Sequence, residues 1–449
     1  MARVTAALMA LALLAAACSS RDDDDNASTG GEGGGSASAE SGIDTANCVS
    51  DPTTPIEGDT IKLVSSFPQS GQTAAFSQIA KGWKSYFQMV NDAGGVKIGD
   101  KTFTIETSDK DDQYNAAVTS ANIDELVGAD GENAFAVFSV VGTANNLAIR
   151  DTLGELCVPN IFAATGSPAW GNPDFPWTIG STLSPYSLEG QAFAGVLKEQ
   201  KPDAKVAMLV QDDDFGKAYE EGFRQAIEGT DIEVVKVEKY STGAAEVGAQ
   251  ITSLAATGAD AFFNGGTLLA CPDALTKAAA ANWTPITWVS ATCTSKTLMG
   301  IAGAAANGVY SYTNLMDPLN PDWDSNPAMM EYREKVAQYA PDADLDNGIV
   351  AYGWTQGALL VDVLESAKEP TRLAVMEALH NIDASGVGVL LPDITVKTGS
   401  DDPYLGETYQ IMKYEFTSPD AKNHFVLQGE PQDVEGKTAS LTPSDLING

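Results

Sequence analysis

The chain alternates between two hydrophobic periods. Ile61-Lys-Leu-Val-Ser-Ser-Phe67 is a short apolar run with strand character, and from Phe76 to Asp92 the residues Ile79, Trp83, Phe87 and Val90 recur at helical spacing. Asn91-Asp-Ala-Gly-Gly95 ends that helix, and the two glycines are expected to serve only the turn. The period then switches repeatedly: strand 102–108, helix 115–127, strand 134–140, helix 145–156, strand 159–163. After Ile179 the pattern restarts, with helices expected over 187–198, 217–228, 244–257 and 275–281. Strands are expected between them at 205–210, 232–237, 261–264 and 286–290. From residue 326 onward the chain is more helical (326–339, 346–367, 373–380), with strands expected at 386–397 and 407–416.

Regular alternation of strand and helix predicts parallel sheets covered on both faces. The restart after Ile179 predicts two of them. The expected fold is therefore α/β, with two Rossmann-like lobes joined by a multi-crossing hinge. Lobe 1 is expected to hold 58–180 plus 311–408, and lobe 2 to hold 181–310 plus 409–449, with crossings near Ile179, Tyr310 and Tyr409. Ligands of open α/β sheets bind beyond the carboxyl ends of the strands, so the loops there should face one another across a cleft. Trp83 and Phe87 are expected in the core, as are Trp170, Trp177, Trp283, Trp288, Trp323 and Trp354. Asp109, Asp111 and Asp112 precede a helix and are expected to cap it.

Composition narrows the function. A length of 449 residues with 43% hydrophobic content suits two domains. A formal net charge of −35 repels phosphate backbones, so nucleic acid is not an expected partner. Arg3 followed by the apolar run from Ala6 to Ala17 suits a signal peptide over residues 1–17 and is too short to span a bilayer. Ala15-Ala16-Ala17-Cys18 resembles a bacterial lipobox, with Ala15 where Leu is usual. The resemblance implies that Cys18 is acylated and becomes the first mature residue. Residues 18–57 are then the lipidated N-terminus and a flexible tether, rich in Asp, Gly and Ser between 19 and 42. Setting Cys18 aside, Cys48, Cys157, Cys271 and Cys293 form an even set suited to two disulfides in an exported protein. Cys271 and Cys293 both follow expected strands and can meet at one sheet edge, which leaves Cys48 for Cys157; buried free thiols are the alternative. The cysteine spacings are wide and there are two histidines, His380 and His424, so no metal site and no cofactor are expected.

Several phrases, in this order, resemble the branched-chain amino acid binding proteins of ABC importers, which have the type I periplasmic-binding fold. They are Phe67-Pro-Gln-Ser-Gly71, Val90-Asn-Asp-Ala-Gly-Gly-Val96, Ser108-Asp-Lys-Asp-Asp-Gln-Tyr-Asn-Ala-Ala-Val118, Ala163-Ala-Thr165, Val210-Gln-Asp-Asp-Asp-Phe-Gly216 and Phe263-Asn-Gly-Gly266. The similarity runs from about 58 to 416. It implies two lobes that close on a small solute and deliver it to membrane permeases. It also implies a monomer lipid-anchored at the outer face of the cytoplasmic membrane. By resemblance, Phe76 covers the solute, while Gly142 or Thr143 and Thr165 of Ala163-Ala164-Thr165 hold its carboxylate. Hydroxyls and free backbone N–H groups at a helix start suit that task. Phe215 and Thr267 are the counterparts from the second lobe.

Two rival functions fit the sequence less well. A hydrolase would need an activated nucleophile, and neither Gly-x-Ser-x-Gly nor Ser-x-x-Lys occurs; Gly436-Lys437-Thr438 has Pro431 where a phosphate loop needs its first glycine. A ligand-sensing ectodomain can share the fold, but with no spanning helix before Gly449 it would need a separate signalling partner. In amino-acid-binding members, an acid in the loop after the strand that follows Gly-Gly pairs with the solute ammonium. Here that loop, Trp288-Val-Ser-Ala-Thr-Cys-Thr294, has no carboxylate, and Asp212, Asp213 and Asp214 lie in a neighbouring loop. The expected solute is thus a small carboxylate, amide or aromatic acid rather than a zwitterionic α-amino acid, because a buried ammonium without a partner is costly.

Overall fold

The computed structural model describes residues 43–128 and 134–449. Cys18 and the signal peptide lie outside them. Two large sheets organise the chain. The first takes β1 (Thr60–Phe67), β2 (Val96–Ile98), β3 (Lys101–Asp111), β4 (Ala136–Phe138), β5 (Asn160–Ala163) and β6 (Thr178–Gly180) in the order β2-β3-β1-β4-β5-β6. The second takes β7 (Lys205–Gln211), β8 (Glu233–Tyr240), β9 (Ala261–Gly265), β10 (Ile286–Val289) and β11 (Tyr310–Thr313). Its remaining strands are β14 (Thr408–Glu415) and β15 (His424–Asp433), and its order is β15-β14-β11-β10-β9-β7-β8. Between β11 and β14 a small antiparallel pair forms from β12 (Asp383–Ser385) and β13 (Thr395–Lys397).

Helices cover the sheets. Those of the first half are α1 (Gln78–Asp92), α2 (Ala116–Val127) and α3 (Thr143–Leu156). Against the second sheet lie α4 (Tyr186–Gln200), α5 (Asp214–Ala226), α6 (Gly248–Ala255), α7 (Ala270–Ala280) and α8 (Lys296–Ala302). The late helices are α9 (Pro327–Tyr339), α10 (Gly348–Ser366), α11 (Arg372–Leu379) and the short α12 (Ser444–Asn448). α10 is apolar nearly all round because it is buried between α1 and the first sheet. Gly82 and Gly353 let those helices touch: a Cβ on Gly353 would sit 2.0 Å from the Ile79 carbonyl. Trp83, Phe87 and Phe138 meet in the first core, and Phe193, Phe263 and Trp288 in the second.

Several expectations need correction. The expected strand 386–397 is the β12–β13 pair with buried Val389, Leu390 and Leu391 in the loop between them. Residues 311–313, assigned above to the first lobe, pair in the second sheet. That sheet is antiparallel at β11–β14–β15, and β2 pairs antiparallel with β3. β2 and β15 were not anticipated. β2 is three residues long and β15 carries polar residues through its second half, so neither has a clear period. Residues 43–57, grouped above with the tether, pack on the body: Trp177 Nε1 donates to Asp44 O at 3.2 Å, Val49 N to Glu155 O at 2.9 Å and Leu373 N to Pro52 O at 3.0 Å. Disulfides join Cys48 to Cys157 and Cys271 to Cys293. Trp323 is only half-buried, whereas the other tryptophans named above are buried.

The chain passes between the sheets at 181–185, 314–316 and 405–407. These segments run side by side. Asn314 Nδ2 donates to Thr182 O at 2.5 Å, the Ser184 amide donates to Tyr312 Oη at 2.9 Å, and Gln356 Nε2 donates to Thr182 Oγ1 at 2.8 Å. Gly406 packs so closely that a Cβ there would lie 2.6 Å from the Thr182 carbonyl.

Candidate functional site

A cavity of about 150 Å³ lies beyond the carboxyl ends of both sheets. Loops following β1, β4 and β5 supply Phe76, Gly142 and Thr165 from one side. The first turn of α5, after β7, supplies Phe215 from the other, and the segments after β9 and β10 supply Thr267 and Thr292. A strand that ends in a buried sheet exposes its last backbone groups and the loop after it, which is why ligands collect there. The walls are mostly aromatic and aliphatic, with hydroxyls interspersed. None of the lining residues is Lys or Arg, and Asp317 is the sole carboxylate among them.

Gly142 is the N-cap of α3 and has φ +105°, a value that suits glycine. It offers no side-chain cap, so the first N–H groups of α3 have no capping side chain to satisfy them. A Cβ on Gly142 would press within 2.8 Å of the Tyr114 ring. Thr143 begins the helix and lies behind the wall. Its hydroxyl meets that of Thr165 at 2.6 Å, and Thr165 Oγ1 in turn lies 3.2 Å from Tyr186 Oη. Trp170 Nε1 donates to the Thr165 carbonyl at 3.0 Å and fixes that loop. The result is a cluster of hydroxyls and helix-start amides without formal charge.

Tyr114 was missed by the sequence reading. Gln113 and Tyr114 have φ of +53° and +60°, and this turn between β3 and α2 swings the ring over the cavity. Asp112 holds the turn, accepting from Tyr114 N at 2.9 Å, Ser66 Oγ at 3.0 Å and Thr119 Oγ1 at 2.9 Å. Burial pushes the Asp112 carboxyl above its usual range. The helix cap expected of the aspartates belongs to Asn115, whose side chain accepts from Ala117 N and Val118 N. Asp111 instead accepts from Gln69 N and Ser70 Oγ, and Asp109 pairs with Lys84.

On the second side Tyr186 stacks on Tyr219 with ring centroids 4.6 Å apart and meets Phe215 edge-on at 5.0 Å. The hydroxyls of Tyr186, Tyr219 and Tyr312 titrate well above the usual phenol range because burial disfavours the phenolate. They are therefore neutral hydrogen-bonding groups. Tyr312 and Tyr352 also line the cavity, and neither was singled out from sequence. Ala163 ends β5 behind the wall, and its neighbour Ala164 lines it.

The acids in this region have distinct places. Glu189, on α4, is buried behind the loop after β10. It accepts from Tyr219 Oη at 2.5 Å, Trp288 Nε1 at 3.0 Å and Ala291 N at 3.1 Å. Burial raises its pKa to about 7. Asp213 caps α5 by accepting from Gly216 N at 3.2 Å, and Asp212 pairs with Lys239 at 3.4 Å. None of Asp212, Asp213 and Asp214 lines the cavity. Leu268, from the loop after β9, has φ +48° and is buried in the core cluster of the first sheet, so the two sides are in contact beside the cavity.

Comparison with known proteins matches this architecture. The family model described as periplasmic binding protein matches residues 60–415. Leu/Ile/Val-binding protein homolog 3 of Brucella melitensis is 26% identical over 204 residues, covering 44% of this chain; the match spans 52%, about half, of that protein's length. A branched-chain amino acid ABC transporter protein from Thermus thermophilus, solved with bound valine, superposes with a TM-score of 0.72 at 19% identity, covering 84% of this chain and 97% of that one. A solute-binding protein of an ABC transporter from R. palustris, solved in complex with benzoate, gives 0.68 at 17% identity, covering 84% and 98%. At such identities the superpositions show a shared fold, here two α/β sheets whose loops close on a common cavity. With the family model spanning most of the folded body, the chain belongs to the periplasmic binding protein family.

Proposed function

We propose that this protein is the extracytoplasmic solute-binding subunit of an ABC importer, that it captures a small carboxylate between its lobes, and that it performs no chemistry on it. The observation that carries the reading is the Gly142–Thr165 end of the cavity. There the start of α3 and the hydroxyl chain Thr143–Thr165–Tyr186 stand beside apolar walls; two of the three hydroxyl protons are spent within the chain, so the helix-start amides and the one remaining hydroxyl proton are the donors for an anion. Phe76 and Phe215, on opposite sides, suit a flat or apolar solute body. The loop after β10 brings no acid into the cavity, because Glu189 behind it is already engaged by three protein donors. An α-ammonium would therefore have no partner in that loop, which favours organic acids and amides over branched-chain amino acids. In this reading the acylated Cys18 holds the protein at the membrane and the closed lobes dock on permease subunits.

Native mass spectrometry of protein purified without denaturation tests the proposal. The expected result is a co-purified organic acid or amide and an acyl mass on a mature N-terminus at Cys18. Calorimetry then ranks leucine, isoleucine and valine against benzoate and short alkyl carboxylates. Tight binding of a branched-chain amino acid with none of the acids would reject the solute class, and turnover of any bound compound would reject a pure binding role.

A further inference from the structure

The cavity has a second polar end. β11 leaves the second sheet at Thr313, and four residues on, Asp317 faces the cavity. Its Oδ1 accepts from Leu319 N at 2.9 Å and its Oδ2 from Phe425 N at 3.4 Å. A carboxylate has about four acceptor positions, so this one retains capacity. Among the described residues no Lys or Arg forms an ion pair with it. Lys296, on α8, is taken by Asp344 at 3.1 Å and Asp346 at 3.3 Å. The titratable neighbours that act on Asp317 are His424 and Asp346, in opposite directions, and burial raises its pKa above the usual carboxylate range.

This end is separate from the Thr165 end. Side chains alternate along β14: Ile411 packs in the core that holds Tyr186 and Tyr312, whereas Met412 packs in the core that holds Phe425. These are opposite faces of the second sheet. Tyr186 lines the cavity from one face, and Met412 and Phe425 line it from the other. The cavity thus reaches both faces of the second sheet around the end of β11, with the hydroxyls and the start of α3 toward one face and the Asp317 carboxylate, bonded to Phe425 N, toward the other. A carboxylate enclosed by a closing cleft without a counter-charge is unfavourable, and a cation delivered with the solute removes that cost.

We propose that the solute is bipolar, a carboxylate joined through an apolar spacer to a protonated amine, and that Asp317 receives the amine. The proposal rests on the reading of the cavity as a carboxylate site. It differs from α-amino acid recognition in placing the charge at a distance from the carboxylate.

The test is calorimetry on the whole chain, freed of co-purified solute, with hexanoate, octanoate, ω-hydroxyhexanoate, ω-aminohexanoate and ω-aminooctanoate. One of the two amines is expected to bind roughly tenfold to a hundredfold more tightly than its parent acid, the gain typical of a hydrogen bond to a charged group. Asp317→Asn is expected to abolish that advantage while binding the parent acid at least as well. Equal binding of amine and parent by the wild type, or an unchanged advantage in Asp317→Asn, would overturn the proposal. Should Asp317→Asn not fold, the comparison of ω-amino- with ω-hydroxyhexanoate in the wild type decides, because only the former carries a positive charge at the end away from the carboxylate; no preference would refute it. Failure of every carboxylate, with or without an amine, would overturn the carboxylate site itself, and this inference with it.

Discussion

At the scale of single residues, Glu189 stands out because its burial is complete and its donors are all neutral. Its pKa in the folded protein, about 7, exceeds the ordinary value of 4.5. Between those two pH values the folded state keeps a proton that the unfolded chain has lost. Stability from this group is therefore full below about pH 4.5 and falls as pH rises through 7, by on the order of 3 kcal/mol in total. Glu189→Gln keeps the shape and the carbonyl acceptor but cannot ionise. The difference in unfolding free energy between wild type and Glu189→Gln, followed by urea denaturation across this range, should change with that sign and then level off at higher pH. A flat difference would mean the carboxylate is already ionised in the fold.

Between elements, the notable feature is how tightly the three crossings are bound together. Thr182 receives Asn314 on its carbonyl and Gln356 on its hydroxyl, and Gly406 has no room for a side chain against Thr182 and Ser184. If the lobes move as the proposed function requires, a packed bundle of three crossings would confine that motion to small backbone rotations. Gly406→Ala should destabilise by about 1–3 kcal/mol, since the new methyl group meets backbone rather than a movable side chain. It should also weaken solute binding, because the crossings would be spread apart. Thermal unfolding and calorimetry on the same variant check both parts. A variant as stable as wild type would show that the crossings have slack.

For the molecule as a whole, the proposed function requires the two lobes to close. Leu268 is 4% exposed and sits in the core cluster of the opposite sheet, outside the cavity wall; under the proposed function it would fasten the closed form without touching a solute there. Burial of a leucine contributes about 2 kcal/mol. Leu268→Ala should thus weaken binding of any solute roughly tenfold or somewhat more, with the loss appearing as faster release. Small-angle scattering should show the radius of gyration shrinking when solute is added to wild type, and needing more solute to shrink in Leu268→Ala. An unchanged radius at saturation would contradict the closing of two lobes.

Most of the fold was legible along the chain because its central strands, such as β7 and β9, are buried on both faces and many of its helices on one, and burial writes a period. The helix 327–339 and the strands at 205–211 and 261–265 fall within a residue or two of their expected limits for that reason. The disulfide partners were legible too, since two cysteines follow neighbouring strands. β15 was not, because an edge strand with one solvated face carries no strong pattern. Of the residues expected at the site from the family resemblance, Phe76, Gly142, Thr165, Phe215 and Thr267 line the cavity, whereas Thr143 and Ala163 lie behind its wall. Tyr114 could have been inferred from its place between β3 and α2, but nothing in the sequence marks the left-handed turn that aims it. Tyr186, Tyr312 and Asp317 carry no signal, since each stands in a segment that reads as ordinary helix, strand or loop. The sequence by itself thus determined the central strands of the two sheets, most of their helices and the loops after those strands, because these follow from local periodicity and turn chemistry. Only the tertiary structure decided which distant residues share the cavity and that an acid 152 positions from Thr165 lines it too, because that depends on where the chain crosses between the sheets.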